Sequence, residues 1–316
     1  MNKKVFVGVD GCSAGWFAVF LAESDIDECD RGNCNLEKCS WEPGVFPEFS
    51  ALWAFLKTNY RAYEPLILID IPIGLKSGGT GERLSDLGAR KILKARKSSI
   101  FPVPCREAVY AETYGKACEI NEKLTGKRIS KQAWNILPRI RDVDGFLINS
   151  LESRGKSAGA DESGSEGVDI RDLIWETGPE ICFQAFAGQP MKYSKKKEEG
   201  FLERKEVLKK IGPLADKTFS GEVSVDEVSV DEVSVDEALV DEILETALSR
   251  YRRKDVARDD ILDALVAAFT AKIGHRYGFE YVPPDPDTDA EGLRIQLVYC
   301  NYSQGSKFLH KSQVKV

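Results

Sequence analysis

The chain has only two histidines, His275 and His310, two methionines, and no apolar run near the roughly 18 residues that span a bilayer. A membrane-embedded protein is therefore not expected. The first apolar run, residues 4–9, ends at Asp10, too short for a signal-peptide core followed by a small-residue cleavage site. A cytoplasmic protein is expected. The eight cysteines show no zinc spacing: Cys29, Cys34 and Cys39 have four residues between neighbours. Structural zinc sites need four ligands, usually in tight pairs. This cluster reads as a loop insertion with reduced thiols.

What is present is ordinary for a globular protein. Of 316 residues 42% are hydrophobic and 30% charged, enough for a sizeable core without staples. The net charge is −7, but residues 76–141 hold 15 Lys and Arg against 6 Asp and Glu. That segment is +9, so the remainder is −16. An asymmetry of this kind fits either a solvated helical surface or a segment facing an anionic partner.

The periodicity predicts an α/β chain. Residues 4–10, KVFVGVD, form a buried strand ending in a carboxylate, and residues 16–23 return as its hairpin partner. Residues 36–43 give a third strand. Phe49, Leu52, Trp53 and Leu56 line one face of a helix over 46–60. In PLILIDIPIGL, residues 66–69 suit a central strand covered on both faces, and Pro72 ends the ladder just beyond Asp70. A basic helical insertion follows over 76–156, then a Gly/Ser/acid linker over 157–169. A strand is predicted over 170–176, a turn at Gly178–Pro179 and a helix from Glu180. VSVDE repeats three times over 223–237, with a period that matches neither helix nor strand. Residues 220–245 are thus read as an acidic connector, partly helical at its end. Residues 258–278 give the clearest helix, and 291–300 a last strand. All of this makes one domain, 1–316.

Asp10 and Asp70 each stand at the tip of a buried strand, where ligands of open α/β sheets collect. Asp260 and Asp263 are three apart, on one face of the 258–278 helix. Crowded carboxylates repel in a low dielectric, and a divalent cation is the inexpensive way to keep them together. Hard oxygen ligands favour Mg²⁺ or Mn²⁺, and paired ions about 4 Å apart are the usual device for phosphodiester chemistry. Each acid also has a plain role, as a turn or helix N-terminal residue.

The motifs VGVDGCSAGW, LILIDIPIGL, KSSIFPVPCREA, SKQAWNILPRIRDVD, WETGPEICF, YSKKKEEG and RDDILDALVAAFTA, in this order, resemble a domain-of-unknown-function family of predicted RNase H-like nucleases. The resemblance implies an RNase H-like mixed five-stranded sheet, its first three strands antiparallel, flanked by helices, with the helical insertion after the fourth strand. It implies metal-dependent hydrolysis of nucleic acid, DNA or RNA. Asp10, Asp70, Glu176 and Asp263 would be catalytic. Two Mg²⁺ or Mn²⁺ ions would be held by Asp10, Asp70, Asp260 and Asp263, with Glu176 positioning a water. Arg96, Ser98, Ser99, Arg106, Lys195 and Lys196 would contact phosphate, and Phe101, Tyr110 and Trp134 are the candidates for base stacking. Gly178 stands where the family usually has histidine or an aromatic residue. Two alternatives remain open at this point. One is an actin-like, sugar-kinase-type phosphotransferase, for which a second Gly-rich phosphate loop and a duplicated domain are missing. The other is a non-catalytic nucleic-acid-binding module.

Overall fold

The computed structural model describes residues 3–23, 40–78, 81–157, 169–216 and 234–301. Strand alternation sets its two faces. In β1 (Lys3–Cys12), Val5, Val7 and Val9 pack on one side and Phe6 on the other, so Gly8 and Asp10 fall on the Phe6 side. The hairpin partner β2 (Gly15–Ala22) is buried over its whole length, Phe17, Val19 and Leu21 facing one way and Trp16, Ala18 and Phe20 the other. β3 (Ser40–Phe46) adds to β2, and all three strands are antiparallel. α1 (Phe49–Asn59) then buries Phe49, Leu52 and Leu56, three of the four residues in its predicted stripe, with Trp53 half-buried. β4 (Tyr63–Ile69) returns parallel to β1.

After β4 come α2 (Leu84–Leu93), a 3₁₀ segment (Lys94–Ser99), α3 (Arg106–Val109), α4 (Tyr114–Thr125) and α5 (Lys131–Ser157). α6 (Ile170–Leu173) is one turn, opened by Asp169, whose side chain accepts the Arg171 N–H at 3.0 Å. That local capping delays the predicted strand, so β5 spans only Ile174–Thr177, parallel to β4. Next come α7 (Pro179–Ala187), α8 (Glu198–Asp216), α9 (Ser234–Arg250) and α10 (Arg258–Tyr277). The final hairpin is β6 (Glu280–Thr288) and β7 (Arg294–Tyr299).

The sheet has seven strands in the order β3-β2-β1-β4-β5-β7-β6, not five. β7 is the anticipated last strand and lies parallel to β5. β6 escaped notice because it carries Pro283, Pro284 and Pro286, which cannot donate to a ladder and are tolerated at an edge. The end of the 220–245 segment is helical. α9 buries Val240, Ile243, Leu244 and Ala247 at helical spacing, so its second half belongs to the core. The earlier part of the VSVDE repeat lies outside the described residues, as do Cys29, Cys34 and Cys39. The five cysteines within them are buried free thiols.

Helices cover both faces. α1, α4 and α5 pack over Val5, Val7 and Val9, while α7 to α10 pack over Phe6, Phe17 and Leu68. α10 lies directly on β1. A Cβ at residue 8 would fall 1.9 Å from the Ala264 carbonyl oxygen and 2.2 Å from the Ala268 nitrogen, so only glycine permits this approach. No helix among the described residues is long and apolar enough to cross a membrane.

Candidate functional site

The parallel register pairs Val9 with Ile69, and the Asp70 N–H donates to the Val9 carbonyl at 2.9 Å. Asp10 and Asp70 therefore follow side by side at the ends of neighbouring strands. Both fall on the α10 face, since Leu68 and Phe6, two and four residues earlier, pack there. The contact at Gly8 sets the height of α10 above β1. It brings the helix's first turns over the strand tips. Asp260 and Asp263 thereby reach the field of Asp10.

Each acid is held differently. Asp10 is 7% exposed, and its Oδ1 accepts the Gly11 N–H at 2.8 Å. Asp260 spends Oδ2 on the Ala257 N–H at 2.9 Å, closing the N-terminus of α10. Asp263, 2% exposed, is ion-paired with the Lys195 ammonium. Lys196 binds Asp259 at 2.6 Å.

Burial, then the charges of Asp263 and Asp70, push the Asp10 carboxyl well above the usual range. Burial also lifts Asp70 to about 7 against the opposing pull of Lys195, and lifts Asp260 to about 6. Asp263 is raised by burial even though Lys195 opposes it. Lys195 is held firmly protonated, first by Asp263 and then, against its own burial, by Asp10 and Asp70. Four carboxyls are thus crowded around one ammonium, and burial favours their protonated forms.

The donor set is hard oxygen, suited to Mg²⁺ or Mn²⁺. Among the described residues, however, no three His, Cys, Asp or Glu side chains are grouped to hold one ion. Asp10 and Asp70 remain as an adjacent pair, and magnesium typically takes only one or two protein carboxylates plus substrate phosphates. Such a pair offers ligands for one ion at most.

Glu176 lies close enough for its charge to raise Asp70, but it is held on the other face. It pairs in register with Ile69, so its side chain takes the opposite face. There it accepts the Ile73 N–H at 2.9 Å and is ion-paired with Arg83, itself 1% exposed and 3.5 Å from Asp86. Its carboxylate is thus held in a buried ionic tie. Arg106 is similarly engaged, with Asp144 at 2.7 Å and Asp289 at 2.5 Å, joining the insertion to the β6–β7 hairpin. Tyr110 donates to Asp144, Phe101 packs into the core beneath α1 and α5, and Trp134 packs edge-on against Tyr114.

Arg96 does reach the rim of the site. Its Nε binds Glu180 at 2.8 Å and its Nη2 reaches the Tyr193 carbonyl at 3.4 Å, placing the 3₁₀ segment with exposed Ser98 and Ser99 beside the Lys195 loop. Glu180 and Arg204 were not anticipated. Arg204, fully buried, binds the other Glu180 oxygen at 2.6 Å and the carbonyls of Tyr193 and Gly200. Glu180 was legible as a first-turn acid in WETGPEICF; nothing in the sequence marked Arg204. Arg139, also unforeseen, donates to the Cys12 carbonyl at 2.8 Å, in the turn just beyond Asp10. Gly178 has φ −129, open to any residue, and a Cβ there would meet Leu297 only at 3.4 Å. The backbone does not require glycine at this departure from the family pattern.

Fold and site together define an α/β protein whose mixed sheet gathers carboxylates and a lysine at the ends of two central parallel strands. The chain belongs to the family described as protein of unknown function (DUF429), whose model matches residues 8–288. No curated protein and no solved structure matches it.

Proposed function

We propose that this protein is a divalent-metal-dependent nuclease on an RNase H-like core. The observation that carries the reading is the side-by-side placement of Asp10 and Asp70 beneath the first turns of α10, where the acids Asp260 and Asp263 add to the same cluster. The arrangement of β1 to β5, three antiparallel strands followed by two parallel to β1, supports the fold assignment, with β7 and β6 as additions at one margin.

Asp10 and Asp70 would hold one Mg²⁺ or Mn²⁺. Bound there, the ion supplies positive charge to a phosphodiester oxygen and makes water more acidic. The protein's own groups do the rest. Exposed Lys94, Lys97, Ser98 and Ser99, beside Arg96, offer cations and hydroxyls to the backbone of a nucleic acid, and such contacts give affinity without sequence preference. Much of the insertion's positive charge is already engaged, as in Arg83, Arg90, Arg106 and Lys127, so its net +9 overstates what faces a ligand.

The test is cleavage of labelled single-stranded and structured DNA and RNA in Mg²⁺ or Mn²⁺. Asp10→Asn and Asp70→Asn are each expected to lower the rate by about a thousandfold or more, since ion-borne charge stabilisation is worth several kcal/mol. Equal cleavage by wild type and Asp10→Asn would overturn the assignment, and tight binding without cleavage in any divalent metal would leave only a binding module.

A further inference from the structure

The expected two-ion scheme has the second ion shared by Asp10 with Asp260 or Asp263. In the structure Asp263 is ion-paired with the Lys195 ammonium, and Asp260 has one oxygen on the Ala257 N–H. The geometry points to Lys195 as a built-in cation that takes the place of the second metal, leaving a site for one divalent ion at Asp10 and Asp70. This inference rests on the reading of the pocket as metal-binding.

The Lys195 side chain is 36% exposed, but its backbone is not free. Its loop is fixed at several points. The N–H groups of Lys192 and Tyr193 both donate to Glu203, at 2.8 and 3.0 Å. The Tyr193 carbonyl is bound by Arg204 at 3.2 Å and approached by Arg96 at 3.4 Å, and both arginines share Glu180. The Ser194 carbonyl accepts the Lys197 N–H at 3.0 Å at the start of α8. Gly200 allows that helix to close on the loop: a Cβ there would fall 2.0 Å from the Ser194 oxygen. A buried arginine, two acids and a glycine contact thus hold one ammonium against Asp263, 3.9 Å from Asp259 as well.

An ammonium differs from a metal in what it contributes. It neutralises charge and donates hydrogen bonds to a phosphate, and it cannot be removed by a chelator. The chain should therefore fold fully in EDTA and take up one ion.

Mn²⁺ binding to the full chain, followed by electron paramagnetic resonance and calorimetry, distinguishes the possibilities. Wild type is expected to bind one Mn²⁺ per chain, and Asp263→Asn also one. Lys195→Met and the milder Lys195→Gln are expected to bind two, to melt at lower temperature in EDTA, and to regain that loss when Mn²⁺ is added. Two ions in wild type, with one lost in Asp263→Asn, would overturn the inference without touching the metal reading; so would a single ion in both Lys195 variants. No Mn²⁺ bound by any of these chains would overturn the metal reading itself, and this inference with it.

Discussion

Gly8 of β1 lies against the backbone of α10 at Ala264, so close that a methyl group would sit 1.9 Å from the Ala264 carbonyl oxygen. Backbone on both sides cannot give way as a flexible side chain can. Gly8→Ala is therefore expected to destabilise the fold by about 1–3 kcal/mol through overpacking. By lifting α10 it should also weaken Mn²⁺ binding. Gly145, inside α5, is the control, because a methyl group added there would meet nothing within 4 Å. Gly145→Ala should stabilise by about 0.5–1 kcal/mol. Urea denaturation of both variants checks this, and a Gly8→Ala protein as stable as wild type would remove the close-approach argument.

The buried carboxyls predict a direction of pH dependence. Asp70 is raised to about 7 and Asp260 to about 6, chiefly by burial. A raised acid binds more protons folded than unfolded, so its stabilising contribution is complete below the unfolded value, near 4, and is lost as pH climbs through the folded one. Metal-free protein should accordingly lose stability between about pH 4 and pH 7, from the ordinary carboxyl value up to the raised ones. Asp10→Asn, which removes one of the repelling charges, should raise the melting temperature in EDTA at pH 8. Denaturant midpoints that rise over this window would contradict the electrostatic account.

Arg83 and Glu176 form an ionic tie on the face of the sheet away from Asp10. Removing one partner of a buried pair leaves the other uncompensated, so Arg83→Met is expected to cost about 3–5 kcal/mol. The double variant Arg83→Met, Glu176→Gln should recover part of that loss, and thermal melts of the three proteins provide the comparison. The same Glu176→Gln chain, compared per folded molecule, should cleave far better than Asp10→Asn. Equal loss of cleavage in the two would return Glu176 to the chemistry.

Much of the architecture was readable from local pattern. Apolar runs ending at Asp10 and Asp70, the stripe of α1 and the Ala-rich α10 declare themselves through burial periodicity, a property of neighbours in sequence. β6 did not, because its prolines suppress the strand signal and its place depends on β7. Asp10, Asp70 and Asp263 were legible as a group because strand ends and a helix start have few places to go. Which face Glu176 would occupy depended on a one-residue register against β4, and register is a tertiary property. Lys195 and Arg106 were both visible as cations. Whether such a side chain meets phosphate or a buried carboxylate depends on partners 68 and 183 residues away, beyond the reach of pattern.

The prolines of β6 have a consequence for the protein in a crowded solution. With Pro283, Pro284 and Pro286 on the outermost strand, and Pro43 in the strand at the other margin, neither border offers an unbroken row of amide donors. Molecules meeting border to border find no continuous template on which to zip together. The sheet ends with this molecule, and concentrated samples should resist fibril growth seeded from either side.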